Sequence, residues 1–329
     1  LIIFWFNAEA QYIQFSQYYA TPTILSPSFT GATEKSRVNF NYRDQWAKID
    51  GIFLTYAAAY DINVPRVSSG FGVIMVRDQA GEGNLARTEL GVMYSWYGLL
   101  NKNMQLYFRP GVQFKLTQRS IDFQKLVFGD QLTSSGVNLT PVQPYPPDTK
   151  RTYVDAAASG LFYTPQWWVG YTVDHLFKPP DAFYDNDYRV AMKHSVFGGY
   201  RFKLGSGGRY GHSSANSIED WFFLSGYYRR HAASAQMDIG GYWGHEPFTL
   251  GIWVRGIPYL NITKNINIDA IIFVVGYQIY NFQVGYSYDF TVSPLLALSG
   301  GAHEISISYK FNTDLKSKKR LGPIPCPNL

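Results

Sequence analysis

Every second residue from Met104 to Leu116 is apolar: Met104, Leu106, Phe108, Pro110, Val112, Phe114 and Leu116. Between them lie Gln105, Tyr107, Arg109, Gly111, Gln113 and Lys115. Successive side chains point to opposite faces of a strand, so this segment offers one face to hydrocarbon and another that tolerates water. Its length is about that of a tilted strand crossing a bilayer. The same period governs Ile305, Ile307, Tyr309 and Phe311 against Glu304, Ser306, Ser308 and Lys310, and it recurs in several other stretches. A soluble sheet hides its apolar face in one core. Here the alternating stretches are too many, and the rest of the chain too little, for that. The pattern predicts an all-β fold: a transmembrane antiparallel up-and-down β-barrel of outer-membrane type, with about fourteen strands.

The expected strands span 37–46, 52–62, 71–78, 88–97, 104–117, 152–163, 167–175, 189–203, 221–231, 233–243, 248–256, 270–279, 282–290 and 304–311. They divide the chain into a short apolar start (1–10), an N-terminal periplasmic or plug segment (11–36), the barrel (37–311) and a basic tail (312–329). Strands 71–78 and 221–231 carry bulky residues on both faces. Either something packs against their inner side or their assignment is wrong. With an even strand count both ends of the barrel chain lie in the periplasm and the longer loops lie outside. The longest connection, 118–151, then falls at the cell surface. Pro141, Pro144, Pro146 and Pro147 mark it as irregular rather than a further strand pair. The Gly/Ser-rich stretch 205–217 is expected to be a flexible periplasmic loop.

Composition sharpens the picture. Aromatic residues make up 17% of the chain and charged residues only 16%, against roughly 25% charged in soluble domains. Tyr and Trp suit the level where hydrocarbon meets water, and barrels collect them in girdles. The mean hydropathy of −0.17 and the short apolar run near 270–275 argue against helical spans. Residues 1–6 are wholly apolar, and Ala8, Glu9 and Ala10 fit the small-x-small cleavage rule. This start reads as the end of a secretory signal, with mature protein beginning near Gln11; a buried N-terminal strand is the alternative. Cys326 is the single cysteine, so no internal disulfide or cysteine metal cluster is expected. Lys316, Lys318, Lys319 and Arg320 supply most of the net charge of +5 and read as a solvated tail.

No enzyme emerges from the motifs. The histidines at 175, 194, 212, 231, 245 and 303 show no metal-ligand spacing. Neighbours on a strand point apart, so Asp174 with His175, or His303 with Glu304, cannot share a proton directly. His175 and His303 read as strand-end residues near the headgroups. Asn138 and Asn261 begin weak glycosylation triplets, and no nucleic-acid motif, cofactor fingerprint or metal site is present. The charged residues of polar parity say more. Arg37, Arg43, Glu89, Arg109, Lys115, Arg201 and Arg255 would each cost roughly 2–4 kcal/mol if turned to lipid at the midplane, so they are expected to face the lumen. There they either pair and fill the barrel or line a pore.

Several stretches resemble one family, the PorP/SprF outer-membrane proteins of the type IX secretion system and gliding machinery. Gln14, Phe15, Ser16, Gln17, Tyr18 and Tyr19, followed by Pro22, Leu25, Pro27, Phe29 and Gly31, resemble its opening segment. Arg43, Gln45 and Trp46 match its first strand, and Asp174, His175 and Leu176 with Pro179 and Pro180 resemble a mid-barrel loop. Glu246 and Pro247, then Trp253, Arg255, Gly256 and Pro258, resemble a later hairpin. Val275, Gly276 and Tyr277, then Gly285, Tyr286, Tyr288 and Asp289, ending in Gly300, Gly301, His303 and Glu304, form the longest match. The resemblance implies a non-enzymatic barrel of the bacterial outer membrane. Its implied partners are a secreted adhesin-type cargo, the periplasmic lipoprotein ring of the apparatus and outer-membrane lipid. It supplies no catalytic position. The connection 118–151 and the loop 205–217 depart from the family pattern. A passive pore for small or hydrophobic solutes is the alternative function.

Overall fold

The computed structural model describes residues 13–48, 51–128, 131–133, 136–137, 149–183, 187–204, 220–256, 268–292, 300–313 and 324. The apolar start with Gln11, the prolines 141–147, the loop 205–217 with His212, the triplets at Asn138 and Asn261, Pro258, the run Lys316 to Arg320 and Cys326 lie outside these residues.

Fourteen strands form the barrel: β1 Ser36–Gln45, β2 Ile52–Val64, β3 Ser69–Gly81, β4 Leu85–Trp96, β5 Leu106–Ser120, β6 Lys150–Tyr163 and β7 Trp167–Asp174, then β8 Lys193–Leu204, β9 Asp220–His231, β10 Ser234–His245, β11 Phe248–Arg255, β12 Ala270–Ile279, β13 Phe282–Thr291 and β14 Ala302–Phe311. Each is antiparallel to its chain neighbours, and β1 pairs with β14 from Ser36 opposite Phe311 to Gln45 opposite Ala302. The ring is therefore closed, and no strand edge is left to meet lipid with unpaired amides. A four-residue strand, Gly98–Asn101, flanks the start of β5.

Burial alternates residue by residue along the strands. On β5, Val112, Phe114 and Leu116 are exposed on the outer face, while Arg109, Gln113 and Lys115 are buried on the inner one. Apolar side chains therefore coat the outside at the sequence period of two. The strand ends next to the termini carry outward rings: Phe71 against Tyr94 at 5.3 Å, Phe108 against Phe162 at 4.6 Å, Phe248 against Tyr277 at 5.0 Å and Phe282 against Tyr309 at 4.3 Å. Tyr42 with Tyr56 and Trp46 with Phe53 sit at the opposite end. These are the two interfacial girdles of a membrane barrel. Among the described residues no helix is long and apolar enough to cross a membrane.

The connections at the terminus end are mostly tight: 65–68, 164–166, 246–247 and 280–281. Those at the opposite end include 121–149 and 175–192. By the outer-membrane pattern of short periplasmic turns and long external loops, the first end is periplasmic and the second faces outward.

Four expectations need correction. The strand expected from 189 starts at Lys193; Arg189 and Val190 form only an isolated bridge to the Pro179–Pro180 turn, where Val190 is buried. Met104 and Gln105 belong to the turn before β5, because Gln105 adopts the left-handed conformation that reverses the chain. The long connection is not wholly irregular: Leu132–Thr133 pairs with Gly136–Val137 in a small hairpin. His175 follows directly on the end of β7, as expected, but its ring is fully buried inside the barrel rather than exposed to headgroups. Its left-handed backbone (φ 62) turns the ring back onto Asp155 of β6.

Candidate functional site: the filled lumen

Residues 13–35 run inside the barrel. Two short helical turns, Pro22–Leu25 and Pro27–Phe29, shape this segment; each has a proline in its first turn, and the Ser26 side chain accepts from the Ser28 amide. Proline fixes φ and lacks a donor that would otherwise need a partner, so it suits these starts.

At the periplasmic end the segment lies backbone to backbone on the wall. A Cβ on Gly111 would sit 2.5 Å from both the Pro27 carbonyl carbon and the Ser28 nitrogen, and one on Gly70 would collide with the Thr30 carbonyl oxygen. The Ser28 amide donates to Ser159 Oγ at 3.0 Å, and the Gly31 amide donates to Asp61 at 2.7 Å. Asp61 also pairs with Arg37 at 3.0 Å. Arg109, fully buried, donates to the Thr30 carbonyl and to Ser95 Oγ at 3.2 Å, with its guanidinium over the Tyr97 ring.

Toward the outer end the segment is held by charge. Glu304 accepts from the backbone amides of Ser16 (2.6 Å) and Gln17 (3.1 Å). Ser16 Oγ donates to Asp289 at 2.7 Å while accepting from Arg43 at 2.6 Å and Arg255 at 2.8 Å. Both arginines also reach Asp289 directly, at 2.7 and 2.6 Å. Asp238, next to Arg255, accepts the Tyr18 hydroxyl and the Gly256 amide. Burial, with the Asp238 carboxylate beside it, pushes the Tyr18 hydroxyl well above the ordinary phenol range, so it stays a donor. Isolated charges would not survive here; mutual pairing makes their burial tolerable.

Aromatic packing fills the space between. Tyr18 lies against Trp253 at 5.1 Å, Tyr19 meets Trp168 edge-on at 5.8 Å, and Phe29 meets Phe197 at 5.6 Å. Phe15 joins Ile74, Val76 and Met93 in a second cluster. The bulky inner residues of β3 and β9 are thereby accounted for: Ile74 and Val76 pack on Phe15, while Trp221, Phe223 and Tyr227 pack with Tyr18 and Tyr19.

The seven charged residues chosen for polar parity all point inward, but they do not form one site. Arg43 and Arg255 meet at Asp289. Glu89 and Lys115 belong to another cluster, in which Arg87 pairs with Glu89 at 2.5 Å and Asp174 with Lys115 at 3.4 Å and Lys193 at 3.0 Å. Arg37 and Arg109 hold the periplasmic end, and Arg201 lies over the Phe223 ring. Among the family-motif residues, Ser16, Gln17, Tyr18, Trp253, Gly256, Asp289 and Glu304 converge on the clamp. Gln14 accepts from Arg229, and Phe15 packs on β3. Gln45 ends β1, Trp46 caps it with its amide on Gly301, and Tyr286, Tyr288 and His303 group at the outer rim, where His303 contacts the Tyr286 hydroxyl at 2.8 Å. The acids Asp61, Asp155, Asp174 and Asp238 escaped the sequence reading as lumen residues. Their strand parity was available as the signal.

His175 Nδ1 lies 2.6 Å from Asp155, and burial lowers the pKa of its imidazole below the ordinary 6.5. Among the described residues no group of three or more His, Cys, Asp or Glu is placed to hold a metal ion.

The family described as "Type IX secretion system membrane protein PorP/SprF" matches residues 7–309. The chain belongs to this family. It is thus a PorP/SprF protein, a β-barrel of the bacterial outer membrane. No curated protein sequence matches it. Among solved structures, the Acinetobacter baumannii outer membrane protein Omp33 is similar, with 8% identity, 86% of this chain and 100% of that one covered, and a TM-score of 0.41. A triple mutant of the Rhodopseudomonas blastica porin gives 8% identity, 84% and 99% coverage, and a TM-score of 0.36.

Proposed function

We propose that this PorP/SprF barrel serves the type IX apparatus as a closed anchor: it binds a secreted adhesin-type cargo, the periplasmic ring, or both, and performs no chemistry on them. The observation that carries the reading is the filled lumen. A segment clamped by Asp289, Glu304, Arg43 and Arg255 leaves the external loops and periplasmic turns as the surfaces that meet partners. A closed ring with two girdles is a rigid mount in the membrane, which suits holding another protein.

The test is deletion of the protein from its own cell. Cargo or a specific adhesin is expected to disappear from the surface while the barrel's lipid environment is otherwise intact. Unchanged surface levels of every secreted cargo would overturn the proposal. Pull-down from mildly solubilised membranes then separates cargo from ring contacts. The rival pore reading predicts steady single-channel steps from the purified protein in a planar bilayer. The anchor reading predicts none.

A further inference from the structure

The N-terminal segment does not fill the lumen evenly. Its charged clamp leans on β1, β10, β11, β13 and β14, and in the ring order these form one arc. Against the other arc, from β3 round to β9, the segment leaves a cavity of about 80 Å³. Room for one water takes roughly 10–15 Å³ on the same measure, so the space is several waters in extent.

Its walls are of two kinds. Ile13, Phe15, Ile24 and Leu25 of the inner segment, with Ile74 and Val76 of β3, make an apolar surface. Facing it, Lys115, Lys193 and Arg229 stand with Glu89 and Asp174, an excess of one positive charge among the five. Asp174 is the last residue of β7 and Lys193, opposite it in register, the first of β8, so the charged wall is at the outward end. Gln14, Gln17 and Gln113 add neutral donors and acceptors along the same lining. A purely apolar ligand would leave the cations without water, and a purely polar one would waste the aliphatic wall. A molecule with both parts satisfies each side.

We propose that this cavity is a binding site for one anionic amphiphile, with a carboxylate or phosphate head at Lys115, Lys193 and Arg229 and an aliphatic chain against Ile24, Ile74 and Val76. The anionic head adds a charge-assisted partner to cations already close to Asp174, and it cancels the local excess. The site is separate from the external loops and periplasmic turns that the anchor function uses, so either reading can fail alone.

The experiment is native mass spectrometry of the full protein in a neutral polyoxyethylene detergent. The probes are decanoate, decyl phosphate, decanol and decyltrimethylammonium at equal concentration. The expected result is a single adduct with decanoate or decyl phosphate, about tenfold tighter than with decanol, and none with the cation. The preferred head distinguishes a carboxylate from a phosphate source. Lys193→Gln should weaken the anionic adduct by about tenfold. Ile24→Trp, which fills the apolar wall and leaves every charge in place, should abolish it. Equal binding of all four probes would overturn the proposal, as would an anionic adduct unchanged in folded Ile24→Trp protein.

Discussion

At the scale of single residues, stability is concentrated in carboxylates that each answer several donors. Asp289 accepts from Arg43, Arg255 and Ser16 at once, and Glu304 from two backbone amides and Arg43. Removing one member of a buried pair leaves the other charge without compensation, which costs about 3–5 kcal/mol. Asp289→Ala is expected to destabilise the folded barrel by about that amount, measured by urea unfolding in detergent micelles. A loss below about 1 kcal/mol would show the cluster to be hydrated. His175 gives a pH dependence of opposite chemistry. Its imidazole is held neutral by burial, so the unfolded chain binds the proton more readily than the folded one. The stability this contributes is full above the ordinary pKa of 6.5 and is lost as pH falls from there through the lowered value. Unfolding midpoints should therefore drop on acidification below about pH 6.5, and His175→Gln should flatten that slope.

At the scale of elements, the period of two decides everything on the outside. Val92 on β4 is 58% exposed and lies between Val73 and Phe114 in register, so it faces hydrocarbon. Val92→Arg is expected to cost roughly 2–4 kcal/mol of folding free energy in lipid vesicles. Gln113→Arg on the inner face of β5 should be milder, and equal costs would refute the facing. The barrel was legible in the sequence for the same reason: lipid imposes one rule on every strand, and Phe282 to Phe290 or Ile305 to Phe311 obey it without exception. Strand ends were less legible, because turn conformations such as those of Gln105 and His175 override the pattern. The inner segment was legible only indirectly. The bulky inner residues of strand 71–78 left open a plug or a wrong assignment, and Phe15 packed on Ile74 and Val76 is the plug, since period alone cannot show what fills a lumen. Nor could it pair Arg43 with Asp289, because β1 and β13 are brought together only by closure through β14.

At the scale of the whole molecule, the question is whether a ring of fourteen strands conducts. Closure alone leaves room for a channel, and here residues 13–35 take it. Their seat is narrow at one place in particular. At Gly111 the segment passes so close that any side chain would meet the Pro27 and Ser28 backbone at 2.5 Å. Neither backbone can yield as a flexible side chain would, since Ser28 is tied to Ser159 and Thr30 to Arg109. Gly111→Val should therefore lift the segment from the wall while the outer face of β5 is unchanged. Its expected signatures are cleavage within residues 13–35 by added protease and ion conductance absent from the parent protein. Gly226→Ala, on the outward parity of β9 with Leu224, serves as a control, because a Cβ there meets only the Asp238 carbonyl at 3.9 Å and should leave the lumen shut. If Gly111→Val folds and still neither conducts nor becomes sensitive to protease, close backbone contact is not what seats the segment, and the charged clamp at Asp289 and Glu304 holds it alone.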